Sequence, residues 1–284
     1  MNDSLPTPSR RFSLNSGIVP FMKFSAFSSL FFALAFAPLM AQDSPAPAAD
    51  PKKEGEAPKQ ELNANQRAFL NLPEEQRKEF AKHLGEASRL FQAKRVFESL
   101  DELFKAEKIF KEAPEIYNLR GSCYVEFRDF DKAMEDFRKA SQLSPNNPSI
   151  EFNIAEVLFV TKKWQEAHDA FEKLLTMLPQ NDVALGRLVE FKLLLCKEKL
   201  GRKNEVIVLA GKYDYLDESP FYYFAQAALA YENNDLLKAE EWLAMSGRIF
   251  RDPNVLAPWQ DTLVEFGYIK SFYGDDASAA PEGP

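Results

Sequence analysis

Cysteine and histidine are scarce in this chain, two of each in 284 residues. Neither pair has the spacing of a metal site, and there is no Cys-x-x-Cys, no His-Glu-x-x-His and no glycine-rich phosphate loop. His83 and His168 fall on amphipathic stretches without a metal-spaced partner. Cys123 and Cys196 each lie among apolar neighbours in a helical pattern, where a thiol behaves as a small hydrophobe. They read as two buried thiols, although an exported chain is free to form a disulfide. Acidic pairs such as Glu240-Glu241 read as solvated helix faces rather than acid/base pairs. The expectation is a protein that is not an enzyme and holds no metal or cofactor. A basic block is also missing. The net charge is −8, and it becomes −10 without residues 1–41, which hold three of the 35 basic and one of the 43 acidic residues. Such a balance disfavours nucleic acid and anionic membrane surfaces.

Glycine is the remaining scarcity, at 11 residues, and what is present instead is apolar residues recurring at helical spacing. The N-terminus stands apart from that pattern. Lys23 precedes an apolar run from Phe24 to Leu39 that ends at small Ala41. A charged start, a short apolar core and a small-residue exit have the layout of a secretory signal peptide over residues 1–41. The run is too short to span a bilayer as an anchor, which takes about 20 residues. Met22-Lys23 is itself a signal-peptide start, so residues 1–21 read as a start placed too far upstream; Arg10-Arg11 fits a twin-arginine signal only loosely. Residues 42–60 mix proline, alanine and charge, a composition that buries too little apolar surface to order itself. Residues 274–284 read the same way, as an acidic tail. The expected compartment is the periplasm or cell envelope, or the extracellular space, with no integral membrane segment once the signal is removed.

Between these ends the chain repeats itself. PEIYNLRGSCYVEFRDFDKAMEDFRKASQLSPNN, from Pro114, aligns with PSIEFNIAEVLFVTKKWQEAHDAFEKLLTMLPQN, from Pro148. At a spacing of 34, Gly121 falls over Ala155, Phe130 over Trp164, Ala133 over Ala167, Phe137 over Phe171 and Pro145 over Pro179. That period marks a solenoid of helical hairpins. Small residues at 121, 133 and 140 allow two helices to cross closely, and Tyr124 and Phe137 fill the space beside the crossing. Pro145 ends the second helix because proline cannot donate the next backbone hydrogen bond.

These residues resemble the tetratricopeptide-repeat family. In the central repeat the family positions are Tyr117, Gly121, Tyr124, Ala133, Phe137, Ala140 and Pro145, with Arg120 where leucine is usual. In the next they are Ala155, Leu158, Ala167, Phe171 and Pro179, while Glu151 replaces an aromatic and Leu174 an alanine. Ala227, Ala239 and Leu243 restore the pattern near the end. The resemblance covers roughly residues 80–253 and implies an all-α solenoid within residues 61–273. Its hairpins would be about 80–113, 114–147, 148–181, 182–218 and 220–253, and a capping helix would cover 255–273. Five hairpins and a cap predict about eleven helices and no sheet.

What the resemblance implies about function is a scaffold that binds a protein or peptide partner in a groove lined by the first helix of each hairpin. By position the groove residues would be Asn118, Ser122, Val125, Phe152, Glu156 and Phe159, joined by Phe224 and Tyr231 from the last hairpin. Leu84, Ser88 and Ser149 occupy places where some family members carry a cationic clamp for a chaperone's C-terminal carboxylate, which disfavours a cytosolic chaperone partner. Assembly of an envelope complex fits an exported scaffold. The alternative is a glycan-binding or enzyme-accessory module using the aromatic cluster Tyr213, Tyr215, Phe221, Tyr222, Tyr223, Phe224, Tyr231 and Trp242, since amphipathic rings are enriched at interfaces.

Overall fold

The computed structural model describes residues 62–270. The expected signal peptide, linker and acidic tail lie outside the described residues, as do residues 271–273 of the expected cap. The described residues form twelve helices and no strand. They are α1 (Ala64–Leu70), α2 (Glu74–Gln92), α3 (Val96–Ile109), α4 (Pro114–Glu126), α5 (Phe130–Leu143) and α6 (Pro148–Val160). They continue with α7 (Trp164–Leu175), α8 (Val183–Lys199), α9 (Lys203–Ala210), α10 (Phe221–Glu232), α11 (Leu236–Ile249) and α12 (Pro253–Phe266). Consecutive helices α2/α3, α4/α5, α6/α7, α8/α9 and α10/α11 pack as antiparallel pairs. The chain is an all-α solenoid of helical hairpins.

Short-range chemistry sets where each helix starts. Pro114, Pro148 and Pro253 occupy the first turn of α4, α6 and α12, where the missing N–H would have no partner anyway. Side chains of Asp129, Asn147, Asp182, Asp235 and Asp252 accept from backbone N–H groups of the turn that follows. The turns inside the hairpins are equally uniform. Each first helix ends at a residue of positive φ: Lys94 (59°), Arg128 (57°), Lys162 (61°), Gly201 (71°) and Asn234 (58°). The next N–H then bonds the carbonyl five residues back, as Asp129 does to Tyr124 at 2.9 Å and Lys163 to Leu158 at 2.9 Å. This left-handed closure satisfies carbonyls that the helix end leaves open.

The helices divide into two layers. α5 and α7 bury one stripe, with Ala133, Phe137 and Ala140 on α5 and Ala167, Phe171 and Leu174 on α7, and turn a charged face to solvent. α4 and α6 are buried nearly all round, since each contacts its own hairpin and its neighbours on both sides. Gly121 shows how close the pairing is: a methyl there would lie 2.6 Å from Cε1 of Phe137. Arg120 replaces an apolar residue by a charge network. It donates to both carboxylate oxygens of Asp136 at 2.8 Å and to Glu107 of the preceding hairpin at 2.7 Å, with its guanidinium over the Tyr117 ring.

Two features depart from the sequence reading. α1 is an additional short helix, closed by a capping box between Asn63 and Gln66, that stands Phe69 against Phe80 and Phe110. The other is the terminal helix. A cap over the last hairpin would lie against α11, whereas α12 packs against α6 and α8. The outer residues of α11, among them Leu236, Leu237 and Ile249, stay exposed.

Candidate functional site

The first helices α6, α8 and α10 present one apolar face, and α12 lies on it. Leu256, Trp259, Leu263 and Phe266 fall on one stripe of α12, spaced by three or four residues, and all four are buried. Trp259 meets Phe191 of α8 at 5.5 Å and Phe224 of α10 at 5.6 Å between ring centroids. Phe266 stacks on Phe159 of α6 at 6.2 Å and meets Trp164 at 5.6 Å, while the Lys199 ammonium lies 4.3 Å from its ring centre. Just beyond the helix, Gly267 takes φ 96° and turns Tyr268 onto Tyr231 of α10 in a stack at 4.8 Å.

In the middle of this apolar surface is a buried ionic triad. Lys192 of α8 is fully buried, with Nζ 2.9 Å from Glu156 Oε1 on α6 and 3.4 Å from Glu265 Oε2 on α12. The Glu156 contact is close but not aligned as a hydrogen bond, so Oε1 has none among the described residues. Burial pushes the Glu156 carboxyl up to about 7, opposed by the ammonium of Lys192. Burial likewise raises Glu265. The same burial acts to lower Lys192, but the two carboxylates outweigh it and hold the ammonium above its usual range. Two further carboxyls lie nearby, Asp261 on α12 itself and Glu198 on α8. Asp261 is raised to about 6 by burial and by Glu265, and Glu198, which accepts from the Tyr268 hydroxyl, is raised to about 7 by burial.

The eight residues assigned to the groove from sequence all lie on the first-helix layer, and all eight are buried. Phe159, Phe224 and Tyr231 touch α12 or the residues just after it, and Glu156 reaches it through Lys192. Phe152 belongs to the core between hairpins. Asn118 accepts from Asn153 at 2.9 Å across two hairpins, and Ser122 donates to the Asn118 carbonyl. Val125 packs in the same core. The sequence reading missed Lys192 and Glu265. Lys192 carried a legible signal, a lone cation inside Leu188-Val189-Glu190-Phe191-Lys192-Leu193-Leu194-Leu195, on a stripe that helical spacing makes apolar.

Elsewhere the chemistry is structural. The aromatic cluster of the fourth and fifth hairpins is mostly internal: Tyr213 lies between Arg187 and Phe221, Tyr222 and Tyr223 pack edge-on against each other, and Trp242 faces both. Only Tyr215 of that set is exposed. His168, Asp169 and Glu172 place ligand atoms near one another, but Arg202 Nη1 lies 3.2 Å from His168 Nε2 and Lys197 faces Glu172. Cations of the protein already fill that network. A surface hollow of about 720 Å³ between the second and third hairpins is lined by Arg120, Asp136, Arg138, Lys139 and Lys163 among others. Of its charges, Arg120 and Asp136 are committed to each other.

The layered hairpins with a shared inner face define a helical-repeat scaffold. A tetratricopeptide-repeat model matches residues 114–147, and a YpiA-like tetratricopeptide-repeat model matches residues 131–177. Residues 114–177 are thus tetratricopeptide repeats, the described residues form a solenoid of the same kind, and this fold supports a protein-interaction scaffold. Among solved structures it is similar to MamA (residues 41 to the end) from Desulfovibrio magneticus RS-1, at 19% identity over 62% of this chain and 97% of that one, with a TM-score of 0.50. PilF of Pseudomonas aeruginosa aligns at 14% identity over 68% and 94% of the two chains, TM-score 0.48. YrrB, described as a tetratricopeptide-repeat protein with an unusual peptide-binding site, aligns at 18% identity over 69% and 96%, TM-score 0.47. A search of curated proteins by sequence gives no match.

Proposed function

We propose that this protein is an exported, non-enzymatic scaffold that binds a peptide or protein partner on its first-helix face and works in the assembly of an envelope complex. The observation that carries the reading is α12 itself. The first-helix face accepts an amphipathic helix, burying Trp259, Leu263 and Phe266 among rings of three different hairpins. A face that holds a 14-residue helix and is lined by aromatic rings is suited to a protein segment rather than to a small polar molecule. Export is supported by Lys23, the apolar run and Ala41. Among the described residues, no helix is long and apolar enough to cross a membrane.

The experiment is crosslinking in intact cells followed by fractionation and mass spectrometry of what is joined to the protein. Recovery of a defined protein partner from the envelope fraction, with the bait beginning at Gln42, is the expected outcome. Recovery of bait with an intact N-terminus from the cytoplasm would overturn export. Absence of any enriched protein across crosslinker lengths would overturn the scaffold reading.

A further inference from the structure

Resting on that reading, we infer that α12 is a displaceable occupant of the binding face, and that the partner is an amphipathic helix carrying the same chemistry. That chemistry is an aromatic residue, an aliphatic one four positions later, then a carboxylate and an aromatic side by side. In this chain it is Trp259, Leu263, Glu265 and Phe266.

Four observations lead here. First, α12 does not do what a terminal helix in a stacked array ordinarily does. It leaves the outer residues of α11 exposed, Leu237 at 71%, and spans three hairpins inward instead. Second, it is a weak helix on its own. Pro258 lies inside it and removes the N–H that would bond to the carbonyl four residues back. Fourteen residues are also near the length at which isolated helices are marginal. Third, α12 is the last helix of the described residues and forms no part of any hairpin, so its release would leave the pairings α2/α3 to α10/α11 in place. Fourth, the face carries a counter-ion of its own for Lys192. Lys192 already pairs with Glu156 across α6 and α8, and an arriving carboxylate joins that pair. α12 brings two acids to this spot, Glu265 and Asp261, against a single buried ammonium. A partner helix with one carboxylate meets the same cation with less repulsion.

The complementarity is therefore specific in charge as well as shape. Aromatic pockets from Phe159, Phe191 and Phe224 take the rings, and Lys192 sets the register by demanding a carboxylate one residue before the last ring. While α12 is docked, the face is closed, and any partner competes with a helix held at high effective concentration. The apparent affinity for the partner is reduced by the fraction of molecules in which α12 is undocked.

The test uses the full chain and a fluorescein-labelled synthetic peptide of residues 253–270, followed by polarisation. A W259A/L263A double variant loosens α12 in cis while leaving the receptor face intact. The peptide should bind that variant at least tenfold more tightly than the wild type, and a peptide with Glu265→Ala should lose at least fivefold. Equal affinity for variant and wild type, or no binding to a variant that keeps its helical circular dichroism, would overturn the proposal. If the variant fails to fold, hydrogen exchange on the wild type decides. With excess peptide, amides of α12 should exchange faster while α6 and α8 stay protected, and unchanged exchange in α12 counts against it. Light scattering that shows a dimer exchanging α12 between copies also overturns it, since the occupant is then a second copy. These results are independent of the crosslinking experiment. A partner recovered in cells together with a peptide that does not compete sinks this inference alone.

Discussion

Replacing Gly121 by alanine should destabilise the protein, and the same replacement at Gly85 or Gly186 should stabilise it. At Gly121 the new methyl would lie 2.6 and 2.7 Å from Cε1 and Cδ1 of Phe137. Carbon atoms make their best contact at about 3.5–4.0 Å, so the ring must retreat by about 1 Å. Phe137 is fully buried and has nowhere to go without shifting α5 against α4. Overpacking of this kind costs about 1–3 kcal/mol, against a helix-propensity gain of about 1 kcal/mol for Gly→Ala. The net is a loss of up to about 2 kcal/mol at position 121. At Gly85 and Gly186 no atom lies within 4 Å of the added methyl, so only the propensity gain remains. Urea unfolding followed at 222 nm should therefore move the midpoint down for G121A and up for G85A and G186A. Phe137→Leu should cost less in the G121A background than in wild type, because the shorter side chain relieves the clash it creates. A G121A protein as stable as wild type, or a double variant whose costs simply add, would refute the account of why the small residue is there.

The remaining expectations concern thiols, turns and buried charge. Cys123 and Cys196 are free, fully buried and pushed up to about 12 by burial, so neither should react with a thiol reagent until the protein unfolds; fast labelling of the native state would contradict this. Lys162→Gly should raise stability by about 1 kcal/mol, because a left-handed φ of 61° strains a residue with a Cβ, and a lower melting temperature would argue against it. Lys192→Met should cost about 3–5 kcal/mol by leaving two carboxyls without their cation, whereas changing Glu156 and Glu265 to Gln in that same background should recover most of the loss. For pH, Glu156 and Glu198 face α12 and Glu265 and Asp261 lie on it, all four with raised pKa values, alongside the cation Lys192 and the hydroxyl of Tyr268, and with Arg128 and Lys94 near enough to act on the acids. The folded state then holds protons more tightly than the unfolded chain between about pH 4 and 7. Stability is present at the low end of that window and lost as pH rises through it, so the protection factors of α12 amides, taken against the intrinsic exchange rate at each pH, should be higher at pH 5.5 than at pH 8, and the reverse order would refute the assignment.

The hairpins were legible because their determinants are local. Phe221–Glu232 reads as one helix from the spacing of its aromatics and alanines, and Asn233-Asn234-Asp235 supplies the left-handed closure and then the next N-cap. α1 was not legible. Seven residues, fewer than two full turns, are too few to show a periodicity, and the helix is held by Phe69 docking on Phe80 and Phe110. The stripe of α12 was visible, but a stripe does not say which surface it meets, and adjacency in the chain favoured the end of the array over the inner face. The groove positions lie on the first-helix layer for the same local reason. That they are buried depends on α12 and on contacts between hairpins such as Asn153 to Asn118, information carried by tertiary structure. Lys192 is the exception in which an oddity of sequence pointed at the site.

The path of α12 also changes how the solenoid responds to force. A linear stack behaves as a spring whose coils open one neighbour at a time. Here a strut, anchored through Trp259 to the fourth and fifth hairpins and through Phe266 and Glu265 to the third and fourth, ties one coil to another two along. Pulled from its ends, the molecule should peel its first two hairpins gradually and then yield the last three in a single rupture, and releasing the strut should convert that stiff half back into a compliant one.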